Sequence, residues 1–251
     1  MAARRVPEGP APDPAVQKLR IRYAKRGRMR FTSTRDFQRA LERAVRRAGL
    51  PVAFSAGFHP HPKISYANAA PTGAASEAEY VEVSLTERVE PARVAPLLDA
   101  SLPEGLDVVE VVDGEDLEGS LADRLQGSVW ALRFRAGGQH LDRMPSAVAA
   151  LLAAPRVTVI RMMKKGPREL DVREALLDLH VSTEPLTTVP VQDGDVLLLA
   201  SLRHQTPTVR PDELWAALRE VSGVDLPRPV STRLRQGPVV DGRVAESLDA
   251  R

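Results

Sequence analysis

From residue 18 to residue 25 apolar and basic side chains alternate. Leu19, Ile21 and Tyr23 fall on one side and Lys18, Arg20 and Arg22 on the other, the period-two signature of a half-buried strand. The stretch "RGRMRFTSTRD" then turns into a helix. Ser33 or Thr34 is placed to cap it, and Asp36 sits in the first turn, where the helix dipole favours negative charge. Phe37, Ala40, Leu41, Ala44, Val45 and Ala48 recur at helical spacing and define a buried stripe, and Gly49 and Pro51 end the helix. "AEYVEVSL" alternates again with Val81, Val83 and Leu85 inward, Pro91 opens a short helix carrying Val94, Leu97 and Leu98, and residues 106–112 read as a further strand. With a short strand over residues 64–67 the order becomes β-α-β-β-α-β, that of a ferredoxin-like split βαβ unit.

An acidic, glycine-containing stretch, residues 114–127, reads as a linker, and the pattern then resumes. "SVWALRFR" is a strand and "LDRMPSAVAALLAA" a helix. "RVTVIRMM" and "RELDVR" form two strands around a turn at "KKGP", and "DVLLLASL" is a buried strand. "PDELWAALREV" is a helix with Pro211 at its first position, and residues 230–234 close the sheet. The expectation is an α+β chain of two ferredoxin-like domains in tandem, residues 16–113 and 128–236. A disordered lead over residues 1–15 and a disordered tail over residues 237–251 flank them.

Composition narrows the chemistry. The 251 residues include no cysteine, which removes disulfides, zinc–thiolate sites, iron–sulfur clusters and thiol nucleophiles. No apolar run reaches membrane-spanning length and the N-terminus lacks a signal-peptide apolar region, so the cytoplasm is the expected location. Formal net charge is only +2, but it is unevenly placed. Between Lys18 and Lys63 basic residues are frequent and the acids are only Asp36 and Glu42; between Glu77 and Asp123 the bases are only Arg88 and Arg93. Either one face is built for an anionic polymer, nucleic acid being the usual candidate, or the acidic segment folds against the basic one and neutralises it. On the predicted strand, cross-strand pairing with Glu82 competes with phosphate binding for Lys18, Arg20 and Arg22. On the predicted helix, Arg35, Arg39, Arg43 and Arg46 or Arg47 recur on the face away from the core.

"SAGFHPHPKIS" concentrates candidate chemistry. His59 and His61 are each followed by proline, which holds the backbone extended, and Lys63 follows. As a metal clip the pair supplies two ligands at most, with no H-E-x-x-H spacing elsewhere, so no metal and no cofactor is expected. As an acid/base pair it has the right unperturbed pKa for cleaving RNA, but the two rings need not converge. As an anion loop it offers Gly57 for close approach, stiff prolines and His/Lys donors, with Phe58 either anchored in the core or offering a stacking face. A stiff connection with incidental histidines is the remaining possibility. Lys164, Lys165 and Arg168 crowd a second basic turn, which serves either binding or edge protection.

The first half closely resembles a bacterial family described as radical-SAM-linked, whose members stand alone or are fused to the end of a radical SAM protein. The motifs are "R-x-x-F-x-S-x-x-D-x-x-R-x-x-E-R-A" and "P-x-A-x-S-x-G-F-x-P-H-P-K-I-S", with a looser match at "R-x-x-K-K-G-x-R-x-x-D-x-R". His61 falls on the histidine of the second motif, and His59 stands where the family often has asparagine. The resemblance implies partnership with a radical SAM enzyme. Such an enzyme needs three cysteines for its cluster, so this chain is not itself one. The expected function is an RNA-binding accessory that presents RNA to an RNA-modifying radical SAM partner. Arg20, Arg22, Arg35, Arg39, Arg43, His59, His61, Lys63, Lys164, Lys165 and Arg168 would contact the RNA. The alternatives are a metal-independent endoribonuclease or RNA-modifying enzyme using His61, and a protein–protein adaptor.

Overall fold

The computed structural model describes residues 12–249; residues 1–11 of the expected lead and 250–251 of the expected tail lie outside them. Among the described residues the chain is α+β, with mostly antiparallel strands and six α-helical segments. It divides into two units. The first holds residues 12–72, 79–122 and 248–249, and the second residues 73–78 and 123–247.

In the first unit β1 (Gln17–Lys25) leads through a 3-10 turn, Gly27–Phe31, into α1 (Thr34–Arg47). β2 (Ile64–Ala67), β3 (Ala75–Leu85), α2 (Pro91–Asp99) and β4 (Leu106–Asp113) follow. The strands lie in the order β4-β1-β3-β2. Ser33 caps α1, its hydroxyl oxygen accepting from the Asp36 amide at 3.2 Å. Leu19, Ile21 and Tyr23 of β1 and Val81, Val83 and Leu85 of β3 share one core with Phe37, Ala40, Leu41, Ala44 and Val45 of α1 and Val94 and Leu98 of α2. Both helices therefore cover the sheet face that carries these odd-numbered strand residues. Phe37 stacks on Tyr23 with ring centroids 4.3 Å apart and meets Tyr66 edge-on at 6.0 Å, contacts worth about 0.5–1.5 kcal/mol each beyond their area.

After the four-residue α3 (Leu121–Arg124), the second unit runs β5 (Gly127–Phe134), α4 (Met144–Ala153), β6 (Thr158–Met163) and β7 (Gly166–Asp171). It continues with α5 (Val172–Ala175), β8 (Leu176–Ser182), β9 (Val196–Arg203), α6 (Pro211–Ser222) and β10 (Val230–Gly237). Its strand order is β10-β5-β9-β8, with Ala75 and Ser76 at the opening of β3 pairing parallel to β10. Two differences from expectation stand out. The strand beside β9 is β8, where Leu179 is buried between exposed Asp178 and His180. The two strands around "KKGP" instead form their own two-stranded sheet, tied to α6 by a bidentate ion pair between Arg161 and Glu213, the Nε–Oε1 arm being 2.7 Å.

The tail expected to be disordered is folded as far as residue 249. β11 (Val239–Val240) pairs with β12 (Arg243–Val244), Arg124 donates to the Ser247 carbonyl at 2.8 Å, and Val244 and Ser247 are buried. Glycines make the docking possible. A Cβ on Gly127 would lie 2.9 Å from methyls of Val239 and Val244, and one on Gly237 would lie 2.2 Å from the Ala245 carbonyl oxygen. Among the described residues no helix is long and apolar enough to cross a membrane.

Candidate nucleic-acid interface

Helical spacing sets the first component. With Phe37, Leu41 and Ala44 of α1 turned into the core, the positions Arg35, Arg39, Arg43 and Arg46 fall on the opposite, exposed side. Among the described residues none of these four arginines is in an ion pair. Glu42, one of the two acids of α1, lies on the flank towards β2. There its charge, after burial, pushes the Tyr66 phenol well above the ordinary tyrosine range. Asp36 is occupied at the cap, accepting from the Ser33 hydroxyl at 2.7 Å. At the far end Arg47 turns away from the ridge to donate to the Ser101 carbonyl. The ridge therefore keeps its charge, and from Arg35 to Arg46 it runs about 16 Å at ~1.5 Å per residue.

The proline loop is the second component. The Ser55 amide donates to the His61 carbonyl at 2.9 Å, and the His61 amide donates to the Ser55 hydroxyl oxygen at 3.0 Å. The Lys63 amide donates to the Ala53 carbonyl at 2.8 Å. These rungs hold the neck of the loop and leave its tip, residues 56–61, in solvent. Gly57 takes φ +136°, a backbone region other residues rarely adopt. His59, His61 and Lys63 are all exposed, and Phe58 is 62 % exposed, so it does not anchor the loop in the core. Among the described residues no group of three histidine or acidic side chains is arranged to hold a metal ion.

The strand cations do not join this surface. Lys18, Arg20 and Arg22 alternate with the core residues of β1 and so occupy the sheet face opposite α1. Arg20 is 4 % exposed, its Nε 3.1 Å from Glu82 Oε2 and its Nη2 donating to the Gly119 carbonyl at 2.5 Å. Lys18 takes the other Glu82 oxygen at 3.2 Å. Arg22 is half-buried opposite Glu110 in the β1–β4 register. Arg20 is thus buried and paired on the face opposite α1, and not presented to solvent as its expected role of phosphate contact would have it. The acidic segment does pair with basic residues, but with those of β1 and the turn after it and not with those of α1: Arg26, just past the strand, meets Asp107 at 2.9 Å. Asp113 is held below the usual carboxylate range. Burial pushes it up, but the Gln17 amide, the Glu115 amide and Arg88 together more than reverse this. Lys164, Lys165 and Arg168 are exposed at the β6–β7 turn of the second unit, beside exposed Ile160, Met162 and Met163.

The hydrophobic pattern passes over two features. Lys25 and Glu79 are buried and close on the two backbone groups of one residue: Lys25 Nζ donates to the Ala70 carbonyl at 3.3 Å, and Glu79 Oε2 accepts from the Ala70 amide at 3.0 Å. Nothing local in the sequence foretells a contact between residues this far apart. Phe31 is 59 % exposed with the Arg30 guanidinium 4.5 Å from its ring centroid. Its signal is an aromatic residue set among cations in "RGRMRF".

The chain matches the model of a family described as an uncharacterized protein conserved in bacteria (DUF2344) over residues 18–211, and it belongs to that family. The match takes in the arginine ridge, the proline loop and the β6–β7 hairpin. No curated protein matches the chain.

Proposed function

We propose that the protein is an RNA-binding accessory that presents RNA to a partner enzyme, with α1 and the proline loop as its contact surface. The observation that carries this reading is the unpaired arginine ridge of α1. Like charges four residues apart on a helix repel by about 0.2–0.5 kcal/mol per pair, a cost that a bound polyanion relieves. A ridge that served solubility alone would mix signs, whereas here the helix holds only two acids, Asp36 engaged at the cap and Glu42 on the flank towards β2. His61 and Lys63 add donors on a loop already held in shape, which lowers the ordering cost of binding.

The fold reading that accompanies this is a tandem of ferredoxin-like units. It is supported by the strand order of each unit, fourth-first-third-second, with the β6–β7 hairpin and α5 inserted in the second. The partner in this reading is a radical SAM RNA-modifying enzyme acting on tRNA or rRNA in the cytoplasm. That part rests on the motif resemblance and on the absence of cysteine, which leaves cluster chemistry to another chain.

Crosslinking the protein to RNA in cells and sequencing what it holds tests the proposal. A defined set of structured RNAs, lost in Arg35→Glu/Arg39→Glu/Arg43→Glu, is expected. A partner protein retained after RNase treatment, with no RNA enriched, would instead identify an adaptor. RNA turnover by the purified protein that His61→Ala abolishes while binding persists would make it an enzyme.

A further inference from the structure

We infer that the RNA segment this surface takes is single-stranded, its unpaired bases stacking on Phe31 and Phe58; the inference rests on the RNA reading above. Of the five phenylalanines, Phe37 and Phe134 are in the cores and Phe54 is half-buried, whereas Phe31 and Phe58 are 59 % and 62 % exposed. Holding a phenyl ring in water forfeits much of the ~1.5–3 kcal/mol its burial would supply, and here this happens twice.

Their placement is not random. Phe31 closes the 3-10 turn just before α1, and Phe58 lies at the tip of the loop just after it, so the two rings bracket the arginine ridge along the chain. Each is set among cations. Arg30 lies over one face of Phe31, which steadies the ring. Phe58 is followed by His59, His61 and Lys63 on a loop narrowed by the Ser55–His61 rungs and stiffened by Pro60 and Pro62. Alternating rings and cations match the two repeating chemistries of a single strand, base faces and phosphates. A duplex hides its base faces in its own stack, so exposed rings would gain nothing from it.

The test is fluorescence anisotropy with the full chain, using a labelled single-stranded 12-nucleotide RNA and the same RNA annealed to its complement. The single strand should bind at least about tenfold more tightly. Phe31→Ala and Phe58→Ala should each weaken it by about five- to 150-fold, with duplex binding unchanged. Because both rings are exposed, circular dichroism should show the variants folded like the parent. Equal or stronger duplex binding, with both phenylalanine variants indifferent, overturns the inference. If Arg39→Glu/Arg43→Glu still lowers binding in that case, only the single-strand assignment has failed. If the arginine variant is indifferent too, the RNA reading has failed with it.

Discussion

Arg20 and Arg39 are both cations of the basic segment, and the structure gives them opposite surroundings, Arg20 buried and paired and Arg39 exposed. Replacing Arg20 by methionine removes a guanidinium whose side chain is 5 % exposed, facing a Glu82 carboxylate that is 11 % exposed. At their 3.1 Å separation and an effective dielectric of ~20 the gross attraction is about 5 kcal/mol, offset by desolvation of both groups. Removing one partner of a buried pair usually costs ~3–5 kcal/mol because the other charge is stranded. Lys18 still reaches Glu82 at 3.2 Å, so the lower end applies, about 3 kcal/mol. For a chain of this size that is a fall in Tm of about 6–12 °C, measurable by calorimetry or circular dichroism. Arg39→Met, on an exposed face with no ion pair, should change stability by no more than about 0.5 kcal/mol. The double variant Arg20→Met/Glu82→Leu should recover most of the loss, since apolar groups can replace a buried pair at little cost. An Arg20→Met protein that melts like the parent yet loses RNA binding would refute this division of labour.

Two further predictions concern the second unit. His204 Nδ1–H donates to the Leu125 carbonyl at 2.7 Å, while its Nε2 meets the Ser128 hydroxyl at 3.1 Å and that oxygen accepts from Trp130 at 2.8 Å. This network fits the neutral ring. Burial pushes the His204 pKa down, Arg233 adds to this, and the Leu125 bond only partly opposes it. The unfolded chain therefore takes up the proton first, so the His204 contribution is whole above pH ~6.5 and is lost as pH falls towards the lowered folded value. His204→Gln should flatten that part of the Tm–pH curve; an unchanged slope contradicts the assignment. Gly237→Ala forces a Cβ against the backbone of Ala245 and should cost about 1–3 kcal/mol. By loosening the tail it should also speed tryptic cleavage after the already exposed Arg243; a variant as resistant as the parent would show that the tail docks otherwise.

Local patterns carried much of this structure. The stripe Phe37, Ala40, Leu41, Ala44 and Val45 is buried as its spacing requires, Ser33 caps α1, and Val81, Val83 and Leu85 face the core. These depend on neighbours within a few residues, where period and capping chemistry act. What stayed hidden depends on distant partners. Glu82 was legible as a possible partner for the strand cations, but not the depth of Arg20, which the Gly119 carbonyl also holds from 99 residues away. Leu179 and Val181 of β8 do alternate with Asp178 and His180, a period-two signal masked by the preceding Leu176–Leu177. The folded tail rests on close approach to two glycines, valine methyls against Gly127 and backbone against Gly237, which leaves no hydrophobic periodicity to read. At the candidate site, spacing alone placed Arg35, Arg39 and Arg43 together. Alternation also set Arg20 and Arg22 on the side of β1 away from Leu19, Ile21 and Tyr23, but it could not show that this side is covered, leaving Arg20 buried and Arg22 half-buried.

The claim on which the account turns is that the α1 ridge neutralises phosphates. Its most direct test is RNA affinity measured across a salt series for the parent and for Arg39→Glu/Arg43→Glu. For a single strand the log–log slope should be near −0.7 per phosphate neutralised, and the variant should lose about 1.4 units of slope together with at least tenfold in affinity at low salt. RNA binding that is indifferent to salt, or that keeps the parent's slope in the variant, would contradict it.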